Sequence, residues 1–199
     1  MKKIKVGHDL VSFKENSIPP SIRHGQKIMH PKEFQFWQKS SFCPFFYWQC
    51  WSLKESLYKL NMKLGYAEKL IFTQLYTALD QFFSKTKKST YTHKALGLYL
   101  YISVEVTTEY IQTFATNDLH FRKMKIFISD QCNNLNQKSV VRNLVTKNIK
   151  SSSLIFESWN NRASFPTLLI EGKKREDLDV SLSHDGNFAS ACILAGRSI

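Results

Sequence analysis

Apolar and polar residues alternate at both ends of the chain with the two-residue period of a β-strand. Residues 3–11 predict an opening strand, and residues 179–185 and 187–195 predict two closing strands around an Asp-Gly turn signal. The other segments with a strand pattern are 95–105, 109–115 and 122–129. The pattern predicts that β-structure opens and closes the fold.

The strongest helical period lies at residues 46–64, where leucines recur every third or fourth position from Leu53 to Leu64 and Gly65 ends the run. Pro31 suits the first residue of a short helix that extends to Trp37. The other segments that predict helices are 70–83 and 138–150. Strands and helices together predict an α+β protein.

These elements form two successive groups of similar plan. A strand, helices and a strand pair occupy residues 1–117, and a strand, a helix and a strand pair occupy residues 118–199. The order predicts two similar α+β units in a pseudo-twofold arrangement. The alternative is one unit that carries a long insertion.

Composition limits the class of protein. The chain has 199 residues, 43% of them hydrophobic and 14% aromatic, so it can bury a sizeable core. Because no segment approaches about eighteen consecutive apolar residues and no signal-peptide core follows the N-terminal lysines, we expect a soluble, cytoplasmic protein. The cysteines have neither Cys-x-x-Cys spacing nor suitable histidine partners, and we expect reduced, mostly buried thiols at Cys43, Cys50, Cys132 and Cys192.

The formal net charge of +12 indicates an anionic partner. The basic residues are dispersed, and the short basic runs at 85–88 and 173–175 predict solvated loops. Because the chain contains no zinc-finger, ribonucleoprotein or basic-zipper motif, nucleic acid is disfavoured. The charge suits equally well an acidic protein or a polyanionic cofactor.

Residues 51–59 read WSLKESLYK and lie on the predicted helix 46–64. Glu55 and Lys59 are four residues apart, so they project from nearly the same side of that helix. On its own this pair indicates only an ion pair on a solvated helix face.

The nonapeptide resembles the signature Trp-(Ser/Thr)-x-Lys-Glu-(Ser/Ala)-x-x-Lys of the 4′-phosphopantetheinyl transferase superfamily. The family's Gly-x-Asp motif resembles residues 7–9, and its Ser-x-Ser-His motif resembles residues 181–184. The positions of the nonapeptide that match are Trp51, Ser52, Lys54, Glu55, Ser56 and Lys59. The resemblance covers both ends of the chain and the first long helix, and is faint at residues 70–158.

The resemblance implies an enzyme of the holo-[acyl-carrier-protein] synthase type. Such an enzyme moves the phosphopantetheine arm of coenzyme A onto a serine of an acyl or peptidyl carrier protein and releases 3′,5′-adenosine diphosphate. Asp9 and Glu55 would hold Mg²⁺, and Glu55 and Lys59 would be catalytic. Glu55, Lys59 and a metal-bound water are alternative bases. Val11 stands where some relatives carry a third acidic residue, which resembles the shorter holo-synthase branch.

The same resemblance implies contacts to coenzyme A. His184 would donate to the 3′-phosphate with help from the Ser183 hydroxyl, and a structural histidine at a strand turn is the competing interpretation. A turn at 164–166 would resemble the family's Gly-x-Pro near the nucleotide. Cys50 stands where relatives often have an arginine, so other basic residues are expected at the phosphates. The expected coenzyme A contacts are Ser181, Ser183, His184, Pro166, Arg23, Lys27 and Lys54.

The resembled family builds its active sites between two α+β units. The first unit would bring Asp9, Glu55 and Lys59, and the second would bring the Ser-x-Ser-His motif, which predicts a monomer with one site. A single unit with an insertion would instead have to oligomerise. His8 should face away from Asp9, because neighbouring side chains of a strand point to opposite faces, and should pack against a neighbour.

Partner choice is less defined. The basic residues of the predicted helix 138–150 indicate either a solvated face or a contact with an acidic carrier helix, the residues being Lys138, Arg142 and Lys147. The carrier would serve fatty acid, polyketide, nonribosomal peptide or pigment synthesis. A different class of protein stays open, namely a non-catalytic basic domain that binds nucleic acid or docks on a carrier protein.

Overall fold

A computed structural model describes residues 4–13, 16, 18, 21–66, 71–78, 88–95, 98–118, 124–132, 136–159 and 163–196. Within these ranges the protein is mixed α+β, as predicted, with four α-helices and three small antiparallel sheets. The helices are α1 Ile22–Ile28, α2 Pro31–Lys39, α3 Pro44–Lys63 and α4 Gln137–Asn148.

The strands of the first sheet are β1 Val6–Ser12, β2 Lys88–Ala95, β3 Leu98–Val106 and β4 Tyr110–Thr116, in the order β1-β4-β3-β2. The second sheet has the order β5-β10-β9, with β5 Met124–Ser129, β9 Leu178–Asp185 and β10 Phe188–Ala195. The third has the order β6-β7-β8, with β6 Ser152–Trp159, β7 Ala163–Ile170 and β8 Lys173–Lys174. Each sheet lies wholly on one side of residue 117, the predicted boundary between the units.

The strongly periodic segments confirm the predictions. The opening strand, the closing strand pair and the long helix all form, and Gly65 ends the helix at φ +83°. The leucine stripe of α3 packs on the first sheet in a core with Ile102, Ile111 and Ala115. An α-helix of twelve residues forms at 137–148, within two residues of its predicted limits.

Other predictions are wrong. Residues 71–78 contain only a 3₁₀ turn at Phe72–Gln74, and the rest of the predicted helix 70–83 lies outside the described residues. The turn predicted at 164–166 is part of strand β7. By contrast, the strand pair predicted at 95–105 and 109–115 is confirmed as the antiparallel pair β3–β4, although the first predicted strand begins at the last residue of β2. Helix α1, strand β2 and the whole third sheet have no counterpart among the predicted elements.

Helix α3 lies directly on β1 because Gly7 has no side chain. A Cβ atom at this position would lie 1.8 Å from the Ser56 carbonyl oxygen and 2.6 Å from the Leu60 nitrogen. No side chain fits that space, so glycine sets the distance between helix and strand. The sequence prediction of a close backbone approach at Gly7 is confirmed.

The other edge of β1 is covered by side chains of β9 rather than by its backbone. Val6 N–H donates to Asp179 Oδ2 at 2.7 Å, and Ser12 N–H donates to Asp185 Oδ2 at 2.8 Å. Between them, the hydroxyl oxygens of Ser181 and Ser183 accept from alternate amides of the same strand. These four bonds, here called the side-chain ladder, join the first sheet to the second. A small apolar cluster that includes Val6, Phe114, Cys192 and Leu194 packs beside it.

We predict that Gly7→Ala lowers the free energy of unfolding by about 3 kcal/mol, because the backbones of α3 and β1 must separate. Gly65→Ala is the control, since a Cβ there meets nothing within 4 Å and only the positive φ is strained, at about 1 kcal/mol. Urea denaturation of both variants measures the difference. Equal losses would contradict the close contact at Gly7.

Candidate functional site

Asp9 and Lys59 meet where α3 crosses β1. The Lys59 ammonium donates to Asp9 Oδ1 at 2.8 Å and to the His8 carbonyl oxygen at 3.0 Å. The Asp9 side chain is 10% exposed and the Lys59 side chain 28%, so the pair lies at the edge of solvent. The odd-numbered positions of β1 face α3, which is why Asp9 turns toward the helix.

Glu55 lies one turn before Lys59 on the same helix face and is half-buried. Burial raises the pKa of its carboxyl above the ordinary value, the negative charge of Asp9 raises it further, and Lys59 partly offsets both. Two carboxylates therefore lie close enough to repel each other across one lysine. Such an arrangement favours the binding of a cation between the two carboxylates.

The Ser-x-Ser-His motif reaches the same place from the far end of the chain. Ser183 donates its hydroxyl proton to Asp9 Oδ1 at 3.0 Å and accepts from Leu10 N–H. His184 lies near enough that Lys59, Lys138 and burial lower the pKa of its imidazole, with burial the largest cause, while Asp9 raises it. Residues from β1, α3 and β9 thus form one site.

Ser181 and Ser183 have structural partners that the predicted contacts with coenzyme A did not anticipate. Both side chains are buried, and both hydroxyl oxygens accept amides of β1 within the side-chain ladder. Ser181 also lines the pocket described below, whereas Ser183 contacts Asp9. The motif therefore joins the two sheets as well as reaching the site.

Lys54 does not fit the phosphate contact that the sequence predicted. Its side chain is fully buried, and its ammonium pairs with Glu33 Oε2 at 2.7 Å. It also donates to the carbonyl oxygens of Ile28 and Phe72, at 2.8 and 2.9 Å, so three acceptors use all its protons. Glu33 in turn accepts from Thr77 N–H and His30 N–H. Lys54 is a core residue that ties α1, α2 and the 3₁₀ turn to α3.

Arg23 and Lys27 are exposed on α1. That helix is fixed to α3 by His24, which contacts the ring of Trp51 and bonds the Tyr47 hydroxyl at 3.0 Å. Helix α1, which carries both cations, therefore lies beside the aromatic residues Tyr47 and Trp51 of α3. Neither Arg23 nor Lys27 contacts Asp9 or Glu55. Their role at a phosphate stays a prediction.

A pocket of about 290 Å³ opens beside Lys59. Pro166 and Phe165 from β7 line it together with Tyr58 from α3 and Leu182 from β9. A second pocket, of about 300 Å³, shares Phe165, Pro166 and Lys63 with the first. Its basic residues were not predicted as site residues, and they are Lys5, Lys63, Lys174 and Arg175. Lys174 and Arg175 belong to the basic run 173–175 that the sequence predicted as a solvated loop, and Lys5 and Lys63 are single cations without a motif.

His8 faces away from Asp9, as expected for the next position on a strand. Its ring stacks on Phe114 with centroids 4.8 Å apart, and its Nε2 lies 3.0 Å from the Gln112 amide nitrogen. Burial and the charges of Lys59 and Lys63 lower the pKa of the imidazole. His8 is therefore a neutral core residue.

Asp9 and Glu55 suit a hard divalent cation because they offer neighbouring carboxylates, and Mg²⁺ commonly binds through one or two carboxylates plus phosphate oxygens. Within the described ranges no group of three or more His, Cys, Asp or Glu residues is placed to hold a metal ion. A cation here would take the protein ligands of this pair alone. Lys59 now neutralises Asp9 from within the protein.

Comparison with protein-family models, with curated proteins and with solved structures found no match. Among the helices that the structure describes, none has the length and apolar character needed to cross a membrane. The site is therefore interpreted from its own geometry and from the motifs.

We predict that Lys54→Met lowers the free energy of unfolding by about 4 kcal/mol, because Glu33 is left charged and unpaired in the core. Adding Glu33→Gln should recover part of that loss, which a double-mutant cycle measured by urea denaturation would show. Lys39→Met, at an exposed position of α2, is the control. A folded, equally stable Lys54→Met with weakened coenzyme A binding would restore the phosphate role.

We also predict that Glu55→Gln raises the melting temperature at neutral pH. A carboxyl whose pKa is raised by folding contributes stability below its ordinary pKa of 4.5 and loses that contribution as the pH rises through the folded pKa. The gain from glutamine should therefore shrink as the pH falls toward that value. Thermal denaturation across the pH range tests this, with exposed Glu171→Gln as the control. A difference in melting temperature between wild type and Glu55→Gln that does not change with pH would contradict the raised pKa of Glu55.

Proposed function

We propose that the protein is a Mg²⁺-dependent 4′-phosphopantetheinyl transferase that uses coenzyme A as its co-substrate and a carrier-protein serine as its acceptor. The observation that supports this most is the convergence of Asp9, Glu55 and Lys59 with Ser183 and His184, residues of three motifs from opposite ends of the chain. A pair of helix charges alone would not require that convergence. We further propose the fold of that superfamily, with both halves of the site in one chain and a monomeric state.

The acidic pair has a specific task in this proposal. Asp9 and Glu55 would hold Mg²⁺, which when bound supplies neutralisation of the pyrophosphate charge of coenzyme A. Lys59 must then release Asp9 Oδ1, at which its ammonium now lies 2.8 Å away. The released ammonium would lie beside the metal ligands and would need a new anionic partner. A phosphate oxygen of coenzyme A could be that partner.

The acceptor serine needs a base. Its hydroxyl oxygen would form a bond to the β-phosphorus, the bond from that phosphorus to the bridging oxygen would break, and 3′,5′-adenosine diphosphate would leave. Glu55 is one candidate to take the serine proton, because its carboxyl has a raised pKa while no cation is bound. A cation held by Glu55 would lower that pKa, and a metal-bound water is then the alternative base. Lys59 would stabilise the charge that develops on the phosphoryl oxygens.

The two joined pockets suit the nucleotide end of coenzyme A. The pocket beside Lys59 has aromatic and apolar walls from Tyr58, Phe165 and Pro166, which fit a base or a pantetheine chain. The neighbouring pocket adds the cations of Lys5, Lys174 and Arg175, each of which now pairs with a carboxylate and would have to exchange it for phosphate. His184 stays a candidate donor to phosphate near Lys59, whose charge acts on its imidazole.

We predict that incubation of apo carrier proteins with this protein, coenzyme A and Mg²⁺ adds one phosphopantetheine, roughly 340 Da, to a carrier serine. Intact mass spectrometry measures the gain. Asp9→Ala and Glu55→Gln should each slow the transfer about 100-fold, with folding unchanged by circular dichroism. Glu171→Gln should transfer at the normal rate.

If the protein were instead a non-catalytic domain that binds nucleic acid, the same variants would give a different result. A basic domain that binds nucleic acid should bind single-stranded RNA with an affinity that falls steeply with salt and is indifferent to Glu55→Gln. No mass gain on any carrier, together with no binding of coenzyme A, would overturn the transferase proposal.

A further inference from the structure

Ser183 holds the aspartate of the candidate site through two hydrogen bonds. Its hydroxyl oxygen accepts the N–H of Leu10 at 3.0 Å, and its hydroxyl donates to Asp9 Oδ1, also at 3.0 Å. Because Leu10 directly follows Asp9, one serine bonds both the backbone beside Asp9 and the Asp9 carboxylate. Ser183 is only 5% exposed, so water competes little for either bond.

The two oxygens of the Asp9 carboxylate differ in their partners. Oδ1 accepts from the Lys59 ammonium at 2.8 Å and from the Ser183 hydroxyl. Oδ2 accepts no hydrogen bond from any residue that the structure describes, although the side chain is only 10% exposed. A nearly buried carboxylate oxygen without a donor is costly unless a ligand completes it. Oδ2 is therefore the oxygen that Asp9 can offer to a cation.

The bond to Asp9 disagrees with the phosphate contact that the family motif implies for Ser183. A serine hydroxyl has one proton, and the Ser183 hydroxyl donates it to Asp9 Oδ1. A phosphate of coenzyme A could accept that proton only if the bond to Asp9 broke. Since the proposed function already requires Lys59 to leave Oδ1, both donors would then be lost from one carboxylate.

We propose that Ser183 is a positioning residue for Asp9 and not a ligand of coenzyme A. It holds Oδ1 and leaves Oδ2 free for the divalent cation. This rests on the proposed function, in which Asp9 and Glu55 hold Mg²⁺. The N–H of Leu10 fixes the Ser183 oxygen, so Oδ1 keeps one donor after Lys59 has left. A carboxylate held in one orientation suits Mg²⁺, which demands near-ideal octahedral geometry.

Ser181 provides a matched control on the same strand. Its hydroxyl oxygen accepts the N–H of His8 at 3.1 Å, and the residue is 3% exposed. Among the described residues, only Ser183 and Lys59 donate to the Asp9 carboxylate. Ser181→Ala and Ser183→Ala therefore each remove one bond of the side-chain ladder, and only Ser183→Ala also removes the bond to Asp9.

The first experiment uses Mn²⁺ as the probe for the divalent cation, because its electron paramagnetic resonance signal weakens on binding. Protein and coenzyme A are present, and no carrier is added. We expect Ser183→Ala to raise the Mn²⁺ Kd about tenfold, as loss of a partner that orients a metal ligand does. Ser181→Ala should raise it less than about twofold, and Ser183→Thr, which keeps the hydroxyl, should stay within about threefold of wild type.

Two further measurements separate cation binding from the other possible effects of Ser183→Ala. Isothermal titration calorimetry in EDTA gives the Kd of coenzyme A without a metal, and Ser183→Ala should leave it within about twofold of wild type. Urea denaturation should show similar losses of unfolding free energy for Ser181→Ala and Ser183→Ala, because each loses one bond of the side-chain ladder.

Any of four results would overturn the proposal: a Mn²⁺ Kd that Ser183→Ala leaves unchanged, an equal rise in both alanine variants, a raised coenzyme A Kd in EDTA, or no Mn²⁺ binding by the wild type. Mn²⁺ binding that only Ser183→Ala weakens, without transfer to any carrier, would support the positioning role while the proposed function fails. Transfer by the wild type together with an unchanged Mn²⁺ Kd in Ser183→Ala would overturn the positioning role and leave the proposed function intact.

Discussion

The side-chain ladder between β1 and β9 is the interaction on which the candidate site depends. An edge strand normally exposes a row of amides or pairs with another backbone. Here alternate side chains of β9, from Asp179 to Asp185, accept the amides of β1, and partners along the ladder are 173 residues apart in the sequence. Because the ladder fixes the register of the two strands, it also sets Ser183 against Asp9.

Helix α3 adds a second constraint through two lysines one turn apart. Lys63 donates to the carbonyl oxygens of Val6 and Val180 and to Asp179, so it bonds both strands that the ladder joins. Lys59 makes the corresponding bond to the His8 carbonyl and to Asp9. Both reach β1 only because Gly7 lets the helix lie against the strand. The segment that positions the site is therefore also a main support of the fold.

The sequence allowed part of this to be predicted. Local periodicity is sufficient for α3, β1 and the closing strand pair, because their apolar residues recur at regular spacing, although β1 and β10 are buried on both faces. It fails at 71–78, where the Phe72 carbonyl accepts the buried Lys54 ammonium and the chain follows that tertiary contact instead of a helix. Lys54 itself could not be assigned correctly, since spacing gives the face of a helix but not what covers that face. For the same reason, the hydrogen bonds that Ser181 and Ser183 accept from the amides of β1 could not be predicted from the sequence.

Two lysines of α3 each pair with an acid on another element, and the two pairs differ in burial. The buried pair is structural, whereas the exposed pair can react with a ligand. The Lys54–Glu33 pair is dry, with both side chains 0% exposed, and each charge has further hydrogen-bond partners. Nothing can enter it without breaking the core. The Lys59–Asp9 pair is open to solvent on one side and stands beside Glu55, whose raised pKa shows that its charge is poorly compensated. A cation could therefore reach the half-buried Glu55 without disturbing the core, which the dry pair does not permit, and this agrees with the role proposed for Glu55.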